Sequence, residues 1–412
     1  MGKHGKAVKD GGRMVRDDSE SLRKGSVKKN SAKPKEKPTA KTVKNKSSVE
    51  TVVPLKLQQL ALNVFKDTFP EVLASETLQA LLQEVKGRLY DRDFDQAFGR
   101  KEYLEAYAVR WSPSRALCYQ SVLVDLQQHL TAVFPPCRSG KRIGAGGLHA
   151  ICFGGGAAEV VAFGAFLRFL RTTTQQRSPH DADLKLDTLI ITDTAVCDAD
   201  PPLKESNDST GQEIDLVLVD NADWKDVSTK LSSGLIATPT LSKYANASAR
   251  EANSPLIAVG SFKSTFLMEN VLEMDRQRLL ALTEGKKALI TLLFTLNELY
   301  TASISKTTKL LLNLTSSVEP GTLLLVVDSP GSYSETTFGP AGDTETPKKY
   351  PMKWLLEHTL LGTEAPRGQD PTVALWEKVV SDDSRWFRIH ETLRYPIAIE
   401  NMRYQLHLYR RI

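Results

Sequence analysis

The chain has 412 residues, 41% apolar and 25% charged, which is ordinary globular composition and enough for a large α/β domain with an accessory unit. Its four cysteines, Cys118, Cys137, Cys152 and Cys197, show no C-x-x-C spacing, arguing against a disulfide framework or a zinc site and for a reducing compartment. No run approaches the ~20 apolar residues of a membrane span, and no signal-type apolar core opens the chain, so an intracellular, soluble protein with neither membrane partner nor metal is expected.

Net charge is +5, but residues 1–50 hold 15 Lys or Arg against 6 Asp or Glu, a local balance of +9 that leaves −4 for the remainder. This first segment is rich in Lys, Ser, Gly and Pro and poor in large apolar residues, so burial cannot offset its ordering entropy. We expect a disordered basic tail over 1–50, suited to nuclear delivery and non-specific phosphate contact. A helical accessory unit is expected over 51–140: apolar residues recur at three-and-four spacing in Leu57, Leu60, Ala61, Val64 and Phe65, and again in Leu78, Leu81, Leu82, Val85 and Leu89. A further helix is predicted from Ser112 as N-cap with Pro113 in its first position, running through Tyr119, Val122, Leu126 and Leu130. Pro135 to Gly147 reads as a linker.

Beyond it, over 141–412, short apolar runs alternate with amphipathic segments, the pattern of a parallel, doubly wound α/β sheet. Strands are predicted at His149–Phe153, Asp215–Val219, Ser264–Met268, Ala288–Phe294 and Thr322–Val327. Helices are predicted at Ala157–Arg171, Trp224–Leu231, Arg276–Leu282 and Glu298–Ser316. Leu189–Ile191 is an extra strand-like run, followed by a polar insertion, Asp198–Glu213. The end of the chain reads as two strand-like pieces, Phe387–His390 and Tyr404–Tyr409, separated by helix-compatible sequence over Tyr395–Met402.

The chemistry-bearing residues fall at predicted strand ends, the edge where open α/β sheets bind ligands. Phe153-Gly154-Gly155-Gly156-Ala157-Ala158-Glu159 follows a strand and opens a helix, and its glycines allow a sharp turn and close ligand approach. A carboxylate in that position, Glu159, suits the ammonium of S-adenosylmethionine (SAM) better than a pyrophosphate. A ribose-binding acid is needed after the second strand: Asp220 fits and Asp193 is its rival, neither lying ~20 residues past the loop as a nicotinamide fingerprint requires. Asn270, after the third strand, can accept from an adenine amino group. Asn297, Glu298 and Tyr300 follow the fourth strand, and Asp328 and Tyr333 the fifth. Glu298 or Asp328 could act as a base, with Tyr300 and Tyr333 stacking on a nucleobase. Arg110 and Arg115, flanking Trp111, could contact phosphate or bases. Each also has a structural alternative: tight turn for the glycines, helix cap for the acids and Asn297, core packing for Trp111. Two other functions stay open on these residues, a nicotinamide oxidoreductase and a non-catalytic assembly protein with a methyltransferase fold.

Five segments taken together resemble the fungal large-subunit (25S) ribosomal RNA uridine-N3 methyltransferase family. They are Arg110-Trp111-Ser112-Pro113-Ser114-Arg115-Ala116, Phe153-Gly154-Gly155-Gly156, Asp220-Asn221-Ala222-Asp223-Trp224, Phe294-Thr295-Leu296-Asn297-Glu298-Leu299-Tyr300 and Asp328-Ser329-Pro330-Gly331-Ser332-Tyr333. The likeness spans residues 55–412. It implies a Rossmann-like seven-stranded SAM-dependent methyltransferase fold, SAM as cofactor, uracil N3 in large-subunit ribosomal RNA as acceptor, pre-ribosomal particles as partners and a nucleolar location. It assigns Gly154, Gly155, Gly156 and Asp220 to the cofactor and Asn297, Glu298, Asp328 and Tyr333 to the pocket. The run at 189–193 departs from the family pattern and leaves Asp193 and Asp220 both open. With −4 outside the tail, RNA contact by the folded part has to be local.

Overall fold

A computed structural model describes residues 53–134, 147–176, 213–241, 243–247, 250, 253–331, 333–336, 348–362 and 374–412. The basic tail, the linker at 135–146, the run at 189–191, Asp193 and the insertion at 198–212 lie outside the described residues. Nine strands are described: β1 Gly147–Phe153, β2 Glu213–Asp220, β3 Phe262–Met268, β4 Leu289–Leu293, β5 Leu323–Asp328, β6 Tyr333–Thr336, β7 Lys348–Pro351, β8 Trp376–Phe387 and β9 Met402–Arg411. Seven form one sheet in the order β3-β2-β1-β4-β5-β9-β8, and β6 pairs with β7 alone. Strands β1 to β5 are parallel, β9 is antiparallel to β5, and β8 is antiparallel to β9.

The five parallel strands fall where the sequence predicts them; β1, β2, β4 and β5 are covered on both faces and apolar through their buried runs, whereas the edge strand β3 has no fully buried residue. Alternate residues serve opposite cores. Ala150 and Cys152 pack with the helices of one face, Ile151 and Phe153 with those of the other. The first face is covered by α1 Leu55–Thr68, α2 Pro70–Ala74, α3 Leu78–Tyr90, α4 Phe94–Ala97, α5 Lys101–Arg110, α6 Ser112–Asp125, α7 Gln127–Leu130, α8 Ala157–Gln176 and α9 Lys225–Ile236. Helices α10 Arg276–Thr283, α11 Leu296–Ala302, α12 Ile304–Ser317 and α13 Met352–Leu360 cover the second. The N-terminal helices therefore share one apolar core with the sheet. Val160, Val161, Phe163, Phe166 and Leu167 of α8, the face expected to be buried, are all inaccessible.

Four local expectations are corrected. Helix α6 takes Trp111, not Ser112, as its N-cap, since Trp111 alone separates it from α5 and Ser112 is buried in the first turn. The helix expected over 298–316 is broken at Ser303, whose side chain accepts from Lys306 N at 3.2 Å and starts α12 afresh. Strand β8 ends at Phe387, where the strand expected over 387–390 was to begin. Residues 395–401 are not helical. They are held irregular by tertiary bonds, Tyr395 Oη donating to Val109 O at 3.0 Å and Glu400 N to Ser114 Oγ at 3.1 Å.

Candidate active site

Strand order reverses direction between β1 and β4, and a cavity of about 1080 Å³ opens over the carboxyl ends of β1 to β4. Its floor is the loop after β1. Gly154 sits at φ 70°, and a Cβ there would collide with the Thr295 side chain, while its N–H donates to Val219 O at 2.8 Å. A Cβ on Gly156 would press the Trp224 ring at 3.1 Å. Gly155 does not line the cavity. It supports the turn from behind, where a Cβ would meet Cys152 O at 2.8 Å.

Glu159, the third residue of α8, reaches back to accept from Gly156 N at 2.8 Å, which closes the helix start and fixes the carboxylate on the cavity wall. Burial pushes its carboxyl up. Asp220 ends β2, accepts from Ala222 N at 2.7 Å and lines the same wall; burial, with Glu159 adding a like charge, raises it to about 7. Neither acid has an ion-pair partner among the described residues. Asn270 stands exposed on the rim, its side chain accepting from Leu272 N at 3.0 Å.

Beside these acids the cavity lining is aromatic and basic. The Arg115 guanidinium lies 5.1 Å from the centre of the Phe294 ring and 5.5 Å from that of Tyr107, and Phe294 stacks on Tyr119 at 6.3 Å. Burial opposes charge on Arg115, but Tyr107, Tyr119, Glu159 and Asp328 around it outweigh that and hold it protonated. Phe294 leaves β4 with φ 58°, and Arg92, after α3, has φ 57°. Two of the three described non-glycine residues with left-handed φ thus line this cavity, where backbone strain collects at functional sites. Arg92 pairs with Glu298 at 3.5 Å and donates to Thr301 Oγ1 at 2.8 Å.

Of the residues expected after β4 and β5, Glu298 lines the cavity, its Oε2 buried without a hydrogen-bond partner. Tyr300 does not. It is 1% exposed in the core of the second face, so it has no surface to offer a base. Asp328 is also buried off the cavity, where Oδ2 accepts from Asn297 N at 3.0 Å and Oδ1 from Ser329 N at 2.7 Å; it anchors the start of α11 rather than meeting a ligand. Asn297 lies behind the lining with it. The Tyr333 side chain is outside the described residues. Arg110 is committed to an ion pair with Glu400, whereas Trp111 and Arg115 reach the cavity. Sequence reasoning missed Arg92, Tyr107 and the wall from Leu89 to Gly99. The one available signal was Asp91-Arg92-Asp93-Phe94, a polar break between apolar helices.

Closing five parallel strands with an antiparallel pair separates this sheet from dinucleotide-binding ones, and the class is that of SAM-dependent methyltransferases. Residues 65–410 match the family model described as a SAM-dependent methyltransferase, and the chain belongs to that family. The 25S rRNA (uridine(2843)-N(3))-methyltransferase of Saccharomyces cerevisiae is 31% identical over 359 residues, 85% of each chain. Among solved structures, magnesium protoporphyrin IX methyltransferase from Synechocystis PCC 6803 with bound SAM aligns with TM-score 0.32 and 10% identity, covering 82% of this chain and 99% of that one. A SAM-dependent methyltransferase from Methanosarcina mazei aligns with TM-score 0.30 and 9% identity over 64% and 92%.

SAM is the cofactor, and the residues present fit it. Two desolvated carboxylates without ion pairs, Glu159 and Asp220, suit an ammonium and a ribose diol, and the glycine turn leaves backbone where a side chain would fill the floor. Among the described residues no group of three or more His, Cys, Asp or Glu is arranged to hold a metal ion.

Proposed function

We propose that the protein methylates N3 of a uridine in large-subunit ribosomal RNA. The observation that carries this reading is the 31% identity to the yeast uridine-N3 enzyme, spread over 85% of both chains rather than confined to a cofactor loop. The cavity supports it, since aromatic and cationic groups line it together with cofactor-type carboxylates.

Bound SAM supplies an electrophilic methyl group, and everything else falls to the chain. Asp220 and Glu159 hold the cofactor through hydrogen bonds to carboxylate oxygens. Phe294, half-buried and backed by the buried Tyr119 ring, offers flat apolar surface to a nucleobase. Uracil N3 carries a proton at neutral pH, so a base must take it as the N3–H bond breaks. Glu298, a carboxylate on the cavity wall held by Arg92 at 3.5 Å, is assigned this role. Negative charge left on the ring is met by Arg115. The basic first fifty residues suit delivery to the nucleolus and contact with pre-ribosomal particles.

In cells lacking the protein, nucleoside mass spectrometry of large-subunit RNA should show loss of a 3-methyluridine, restored by the wild-type chain and not by Glu298→Gln. An unchanged 3-methyluridine content, or loss of a different methylated nucleoside, would refute the assignment.

A further inference from the structure

The carboxyl edge of the sheet carries a second surface outside the cavity. Register pairs Asp328 of β5 with Gln405 of β9, and Arg403 of β9 with Trp386 of β8, so Trp386 stands just past the level at which the parallel strands end. The indole is 56% exposed on the outermost strand. The guanidinium groups of Arg388 and Arg403 lie 5.3 and 5.9 Å from its ring centre. Both arginines are exposed, and neither has a carboxylate partner among the described residues; Arg403 donates to Ser384 Oγ at 2.9 Å. Their neighbours differ, since Arg385 pairs with Asp382 at 2.9 Å and Arg110 with Glu400.

The patch is tied to the cavity wall. The segment 388–401 that leaves it packs on the α5–α6 corner through Tyr395 Oη to Val109 O, Glu400 N to Ser114 Oγ and the Arg110–Glu400 pair. That same corner presents Trp111, Ser112 and Arg115 to the cavity. A strand of nucleic acid with one base in the cavity would meet, where it crosses the carboxyl edge of the sheet toward β8, an aromatic face and two cations without carboxylate partners.

We propose that Trp386, Arg388 and Arg403 form a docking site for single-stranded RNA flanking the acceptor uridine, one base stacking on the indole and neighbouring phosphates meeting the two guanidinium groups. This inference rests on the RNA-substrate reading above. An aromatic face accepts any base, and uncompensated arginines beside it select a polyanion. Because the chain beyond residue 50 has a balance of −4, its contact with RNA has to be local, as this patch is.

The test compares full-length wild type, Trp386→Ala, Trp386→Phe and the double variant Arg388→Ala/Arg403→Ala. Affinity for a labelled single-stranded oligouridylate is measured against salt, SAM affinity by calorimetry, and kcat and KM on deproteinised large-subunit RNA. Trp386→Ala should weaken oligonucleotide binding roughly tenfold with its salt slope intact, and Trp386→Phe should recover most of the loss. The double arginine variant should flatten the log–log salt slope by about 1.4, at ~0.7 per phosphate contact on a single strand. KM for RNA should rise while kcat and SAM affinity stay at wild-type values. Wild-type RNA affinity and salt slope in all variants, with methylation intact, would overturn the docking site and leave the enzymatic reading standing. A wild-type protein that binds SAM but methylates no uridine in this RNA would overturn both.

Discussion

Asp220 is pulled in two directions. Burial favours its neutral form and holds it near 7, whereas hydroxyl donors of a bound ribose favour the carboxylate. SAM affinity should therefore rise with pH through about 7 and level off above it, because binding selects the ionised form that free protein holds only partly below that pH. Asp220→Asn should remove this pH step and weaken SAM binding roughly ten- to hundredfold, the worth of hydrogen bonds to a charged group at ~1.5–3 kcal/mol. Calorimetric titration from about pH 6 to about pH 8 reads both effects, and a pH-independent wild-type affinity would remove Asp220 from the ribose site. Gly154 offers a backbone counterpart. At φ 70°, and with the Thr295 side chain already filling the place an added methyl group would take, Gly154→Ala should cost more than ~1 kcal/mol of stability and abolish SAM binding, as thermal unfolding and the same titration would reveal.

At the scale of elements, the ends of β4 and β5 show why residue type alone misassigned the pocket. Glu298, Tyr300 and Asp328 all follow apolar strands, but helix α11 starts immediately at Leu296 and turns successive side chains to different faces. Glu298 meets the cavity, Tyr300 enters the core and Asp328 holds the helix start from the next strand. Asp328→Ala should accordingly lower stability by roughly 1–3 kcal/mol in urea unfolding, since Asn297 and Ser329 N–H groups lose their acceptor. SAM affinity should remain near wild type while turnover falls, because the misplaced element carries Glu298. A loss confined to SAM binding would place Asp328 in the cofactor site instead. Strands β1, β2, β4 and β5 were legible because burial on both faces writes itself as apolar sequence. β8 was not, since Glu377, Ser381, Asp383 and Ser384 face solvent on an edge strand and mask the period. The irregular stretch at 395–401 is determined by bonds to α5 and α6 that no local pattern announces.

Across the whole molecule, the sheet has two separate cores, and the cavity lies where its strand order reverses. The N-terminal helices contribute to one of those cores and also supply part of the cavity wall, through Arg92, Tyr107, Trp111 and Arg115. Apolar spacing signalled a helical unit but not this sharing, because periodicity records which face is buried and not against what. Strand-terminal residues on the sheet side, Gly154, Gly156, Glu159, Asp220 and Glu298, were readable because the edge of a parallel sheet is a fixed place in the topology. The strained Phe294 and Arg92 were not, since a left-handed φ leaves no mark in a non-glycine sequence.

The claim that joins these scales is that the cavity carries out methyl transfer to uracil N3. Purified protein incubated with SAM bearing a deuterated methyl group and large-subunit RNA from cells lacking the protein tests it directly, with nucleosides resolved by mass spectrometry. Deuterated 3-methyluridine is expected with the wild-type chain and none with Asp220→Asn or Glu298→Gln. Label appearing in any other nucleoside, or 3-methyluridine formed equally well by Glu298→Gln, would contradict it.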